Sequence, residues 1–138
     1  MQWIALIASM MGAWAPAAQA DVFENYAELA ASCRAGRDYA VIAVERRSPV
    51  AVFSIHGGYI ERGTSDLADA IAGRDFSRYD FRGLRPGRRS LRYHITSSHF
   101  DEPRALSLAA HSQYCVSVHG YSPRPAGQVV SLGGRTHE

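Results

Sequence analysis

Residues 50–58 read Val50-Ala51-Val52-Phe53-Ser54-Ile55-His56-Gly57-Gly58, a nearly unbroken apolar run that ends in a histidine and two glycines. A strand apolar on both faces belongs inside a sheet that is covered on both sides. The pattern returns at Tyr114-Cys115-Val116-Ser117-Val118, a short apolar strand closed by His119-Gly120. Helical patterns flank and separate the two. Strands alternating with helices predict an α/β domain of three layers, with a mainly parallel or mixed sheet and helices on both faces.

Working outward from residues 50–58, Asp21 and Glu24 resemble a capping box for a helix whose Phe23, Tyr26, Ala27 and Ala30 share a face up to Ala31. Tyr39 to Glu45 alternates as a strand does. Thr64 or Ser65 is expected to cap a helix over Asp66 to Ala72, with Gly73 at its end. The Asp-, Arg- and Gly-rich residues that follow read as a loop, and Leu91 to Thr96 as another strand. Asp101, Glu102 and Pro103 predict a helix start for Arg104 to Gln113. A last strand, Gln128 to Leu132, closes on Gly133-Gly134.

The length of 138 residues has room for one domain with a real core. A net charge of +2 is too small to announce a nucleic-acid binder, although all 15 basic residues are arginine. Five of them, Arg82, Arg85, Arg88, Arg89 and Arg92, fall in one stretch. A polyanion-binding loop is one reading of it and a solvated loop the other, since no aromatic ladder interleaves to stack bases. Residues 1–20 carry no charged side chain, hold an apolar stretch from Trp3 to Trp14, and place Ala18 and Ala20 where a signal peptidase would cut before Asp21. We expect a signal peptide at 1–20, a domain at 21–138, a secreted or periplasmic location and no stable membrane insertion. The segment lacks the usual basic n-region, so an uncleaved N-terminal anchor is the alternative. In an oxidising compartment Cys33 and Cys115 could pair; otherwise both are buried small apolar residues.

In open α/β sheets ligands bind beyond the carboxyl ends of the strands. Two strands here end in His-Gly, and Glu61 follows His56 by five residues. Two imidazoles and a carboxylate are a ligand set of catalytic zinc sites that keep a position open. Spacing alone leaves two readings: His56, Glu61 and His119 around a metal, or two histidines hydrogen-bonded within loops. His94 is the reserve ligand, with a satisfied core histidine as its plainer reading. His99, just before the helix cap, is either site-adjacent or simply exposed, whereas His111 and His137 ask for no function.

His56-Gly57-Gly58-Tyr59-Ile60-Glu61 with Gly63-Thr64-Ser65, His94-Ile95-Thr96-Ser97 with Phe100-Asp101-Glu102-Pro103, and Val118-His119-Gly120 together resemble the poly-γ-glutamate hydrolase family, in the family's order. Gly36-Arg37-Asp38-Tyr39, Ile71-Ala72-Gly73 and Gly133-Gly134 extend the resemblance over nearly all of residues 21–138. It implies a fold similar to zinc carboxypeptidases, and cleavage of γ-glutamyl amide bonds with one Zn2+ held by His56, Glu61 and His119. It also implies a polyglutamate-type anionic polymer as partner; by their charge Arg62 and some of Arg82 to Arg92, with Arg92 foremost, are candidates for pairing its carboxylates. Family chains continue past the Gly-Gly found here near residue 138, and the resemblance implies that their later part brings an acidic general base. Glu102 and Glu138 match no such motif. The expectation is therefore a zinc amidohydrolase or, as its alternative, a metal- and polyanion-binding domain without turnover.

Overall fold

The structure, a computed structural model, describes residues 2–8, 21–121 and 130–135. The expected cleavage site at Ala18 to Ala20, together with Gln128, His137 and Glu138, lies outside them. A six-stranded mixed sheet runs in the order β2-β4-β3-β5-β1-β6. Its strands are β1 (Gln2–Ala8), β2 (Tyr39–Val44), β3 (Val50–Gly58), β4 (Ser77–Gly83), β5 (Tyr114–Gly120) and β6 (Val130–Arg135). β4, β3, β5 and β1 are mutually parallel, whereas β2 and β6 are antiparallel edges.

Helix α2 (Thr64–Ala72) covers one face, with Ala68 and Ala72 packed on Val52 and Val118. On the other face, α1 (Tyr26–Ser32) and α3 (Pro103–Ala110) bring Leu29, Ala105 and Leu108 against Phe53, Tyr79 and Phe81. Three layers follow, as the apolar runs predict. The chain leaves β3 for β4 by way of α2 and returns to β5 by way of α3, on the opposite face. Strand order therefore reverses between β3 and β5, where an α/β sheet opens a crevice.

Several local expectations are corrected. Asn25, not Asp21, caps α1, its side chain accepting from Glu28 N. Gly63 at φ +89° opens α2, so Thr64 and Ser65 lie inside the helix and spend their hydroxyls elsewhere. Part of the expected loop is β4. Leu91 to Thr96 is no strand: residues Gly87–Tyr93 form a 3₁₀ helix and 94–96 run extended, their backbone used by side chains and not by a ladder. Glu102 caps α3, as its position before Pro103 predicts. Residues 2–8, read from sequence as part of a leader, form an inner strand between β5 and β6. Among the described residues no helix is long and apolar enough to cross a membrane.

Candidate metal centre

A bulge aims the first histidine. Between paired positions β3 advances three residues, Ser54 to Gly57, while β4 advances two, Asp80 to Arg82. Ser54 still faces α2, donating to Thr64 Oγ1 at 3.1 Å. The extra residue breaks the alternation, so Gly57 takes the α2 side and His56 turns to the other face, as bulges beside active sites commonly re-aim a side chain. On β5 the alternation is intact. Val118 packs toward α2, leaving Ser117 and His119 on the face that His56 has joined.

Glu61 arrives by a tight return. Gly58, at φ +64°, begins the turn, and Glu61 N donates back to His56 O at 2.8 Å. The five-residue spacing between His56 and Glu61 is the length of this loop. Gly120 N then donates to Glu61 Oε2 at 2.7 Å, and a side chain at Gly120 would meet Glu61 Cβ at 3.4 Å.

His56 Nδ1 stands 3.0 Å from Glu61 Oε1 and 3.2 Å from His119 Nδ1, and His119 Nδ1 stands 3.6 Å from Glu61 Oε2. The far nitrogens are occupied. His56 Nε2 lies 2.8 Å from Ile95 O, and since a carbonyl only accepts, this nitrogen carries the proton and Nδ1 offers its lone pair. His119 Nε2 lies 3.1 Å from Ser117 Oγ, a hydroxyl that accepts from this nitrogen when His119 takes the same tautomer. With His119 in that tautomer, two imidazole lone pairs and a carboxylate converge on one point, an arrangement that could hold a cation. Donor atoms about 2.0–2.2 Å from a tetrahedral zinc stand about 3.3–3.6 Å apart, close to the spacings found here. Burial acts to raise the Glu61 carboxyl, but the neighbouring His119 and His56 rings, with the bond from Gly120 N, outweigh it and hold the group at about 2. His56 is buried, while Glu61 and His119 border a cavity of about 1120 Å³ with Ile55, Phe100 and Leu106 on its apolar wall.

His94 lines the same cavity without joining the donor cluster. Its ring stacks on His56 with centroids 4.0 Å apart at 24°, and its Nδ1 bonds Asp21 Oδ1 at 2.6 Å. Burial pushes the Asp21 carboxyl up, but bonds from His94 and Thr96 bring it below its ordinary value. Sequence reasoning missed the parts played by Asp21, Ile95 and Ser117. Only Ser117 left a local signal, two residues before His119 on the same strand face. Arg62 and Arg92 do not line the cavity: Arg62 lies over the Tyr59 ring, and Arg92 over Phe23 and Tyr93. Arg82 and Arg85 are engaged by Asp80 and Asp38. Cys33 and Cys115 are both free, Cys115 lying buried with its thiol toward Ala109 O. His99 is exposed, and His111 folds back on Ser107 O at the end of α3.

YndL of Bacillus subtilis (strain 168) is 43% identical over 114 residues, which span 83% of this chain and 43% of YndL. A solved structure of zinc-free apo YndL superposes with a TM-score of 0.69 at 45% identity, covering 75% of this chain and 50% of that one. A bacteriophage poly-gamma-glutamate hydrolase gives a TM-score of 0.71 at 34% identity, covering 76% and 51%. This chain thus spans about half the length of these relatives. The family model for poly-gamma-glutamate hydrolase matches residues 23–138, and the chain belongs to that family.

Proposed function

We propose that this chain is a zinc-dependent amidohydrolase domain acting on the γ-glutamyl amide bonds of poly-γ-glutamate or a related anionic polymer. The observation that carries the reading is the convergence of His56 Nδ1, His119 Nδ1 and the Glu61 carboxylate at the strand-order reversal. Family membership supports the substrate class, and the zinc-free form of YndL supports the metal. Zinc held there would supply a Lewis acid for the scissile carbonyl and a bound water acidic near pH 7. Ile95 O and Ser117 Oγ keep both imidazoles in the orientation that presents Nδ1, and Gly120 N fixes the carboxylate. The apolar wall of Ile55, Phe100 and Leu106 keeps water from one side of the cavity. Arg62 and Arg92, exposed outside the cavity wall, meet polymer carboxylates beyond it. Export to the cell exterior or periplasm belongs to the same proposal, and N-terminal sequencing of exported protein checks it.

One observation favours a second reading, metal-dependent binding of the polymer without turnover. Among the described residues that line the cavity, Glu61 is the sole carboxylate, and it belongs to the donor cluster. General acid-base transfer is worth roughly 10²–10⁴-fold and needs a group of its own. Elemental analysis should find zinc near one equivalent in the wild type and little in His56→Ala; equal zinc in both would remove the site. A polymer-size gel then separates turnover from binding. Shortened polyglutamate marks the hydrolase, and salt-sensitive retention at unchanged length marks the binder.

A further inference from the structure

We propose that Asp21 is a positioning residue for the ligand His56, acting through the extended segment of residues 94–96. The proposal rests on the reading of His56, Glu61 and His119 as the metal site. His56 is held from two sides by that segment. Its Nε2 donates to Ile95 O at 2.8 Å, and the His94 ring stacks on its face at 4.0 Å. The carbonyl fixes which nitrogen is protonated and the stack fixes the ring plane, so together they decide whether Nδ1 points at Glu61 and His119.

Among the described residues the segment has no ladder to hold it, since 94–96 pair with none of the described strands. Asp21 takes that part. One carboxylate oxygen bonds His94 Nδ1 at 2.6 Å and the other accepts from Thr96 N at 2.5 Å, so the carboxylate straddles Ile95. Both bonds reach across more than seventy residues of chain. A carboxylate that grips the residues before and after an acceptor sets where that acceptor stands.

A purely structural role predicts something different. Asp21 would then tie the N-terminal segment to the domain, as Asp101 does by accepting from Tyr26 N at 2.7 Å. Asp101→Ala is therefore the control, because it cuts a tether to the same segment without touching residues 94–96.

The test is zinc affinity of the full 138-residue chain, measured by competition with a chromogenic chelator, with cobalt(II) d–d absorption as a report on ligand geometry. Asp21→Ala is expected to weaken zinc 10–100-fold, the usual effect of losing a group that orients a metal ligand, and to alter the cobalt spectrum. Asp101→Ala is expected to leave both unchanged. Asp21→Asn, which keeps the shape but sets an N–H against one of the two donors, should lose threefold or more and serves if the alanine variant fails to fold. Affinities within twofold of wild type in both Asp21 variants, or an equal loss in Asp101→Ala, would overturn the positioning role while leaving the metal site intact. A wild-type chain that binds no zinc would overturn both.

Discussion

Gly57 shows how little freedom the residues around the candidate metal centre have. A Cβ there would lie 2.2 Å from Asp80 Oδ1, 2.3 Å from Ser65 Oγ and 2.9 Å from Phe81 O. Asp80 is fully buried and already engaged by Ser65 Oγ at 2.9 Å and Arg82 Nε at 2.5 Å, and Ser65 Oγ also accepts from Gly58 N at 2.8 Å. None of these can retreat without exposing a buried charge or an N–H. Gly57→Ala is therefore expected to cost about 1–3 kcal/mol by overpacking, read from urea unfolding. Zinc affinity should fall with it, because the displaced bulge is what turns His56 to the face of His119. The three donors were legible in the sequence because each answers to a short-range rule: a histidine ends a buried strand, and a glutamate returns through a five-residue loop. Asp21 was not legible. Near Glu24 it resembles a cap, and its partners His94 and Thr96 lie too far along the chain for spacing to reveal them.

At the scale of elements, β4 went unseen for a reason its composition explains. In Ser77–Gly83 the residues Tyr79 and Phe81 bury one face, but the other carries Arg78, Asp80 and Arg82, which reads as a solvated loop. Those charges are neutralised in place, Arg78 by Asp69 at 2.8 Å and Asp80 by Arg82. The end of β4 is fastened to the start of β2 by Asp38, whose carboxylate takes Arg37, Arg34 N and Arg85. Hydrogen bonding from the Arg37 guanidinium, then from Arg34 N and Arg85, holds the Asp38 carboxyl well below the usual carboxylate range. A pKa lowered on folding contributes stability that is present above the unfolded value, 3.8, and is lost as pH falls below it toward the folded value. Urea midpoints taken from pH 5 down to pH 2.5 should decline in the wild type. They should decline less in Asp38→Asn, which has no proton to take up, and parallel curves would show that Asp38 does not couple to folding. Leu91 to Thr96 erred in the opposite direction. Its alternation suits a strand, but Ile95 O is taken by His56 and Thr96 N by Asp21, so neither group can enter a ladder.

Across the whole molecule, the crevice exists because two central strands part company. β3 and β5 are in register only from Val50↔Tyr114 to Phe53↔Ser117, and beyond that point they diverge toward His56 and His119. β3 keeps β4 beside it to its end, through Gly57↔Arg82 and Gly58↔Gly83. β5 has β1 there instead, with Ile7 opposite His119 and Ala8 opposite Gly120. Among the described residues, then, the strand that carries His119 is braced at its carboxyl end by residues 2–8, the same residues that read from sequence as part of a leader. The two roles make opposite demands, because cleavage before Asp21 would take the brace away. A chain of residues 21–138 retains all three donors together with Asp21, Ile95 and Ser117, but the backbone of His119 and Gly120 loses its neighbour. Its zinc affinity is expected to fall on the order of tenfold, at the lower end of the effect of losing support for a metal ligand. Amide protection should disappear at 130–135, whose β6 pairs only with β1 among the described strands. Unchanged affinity with unprotected β6 amides would mean that Ser117 and the Gly120-to-Glu61 bond suffice to hold His119, and that the centre can survive processing of its first strand.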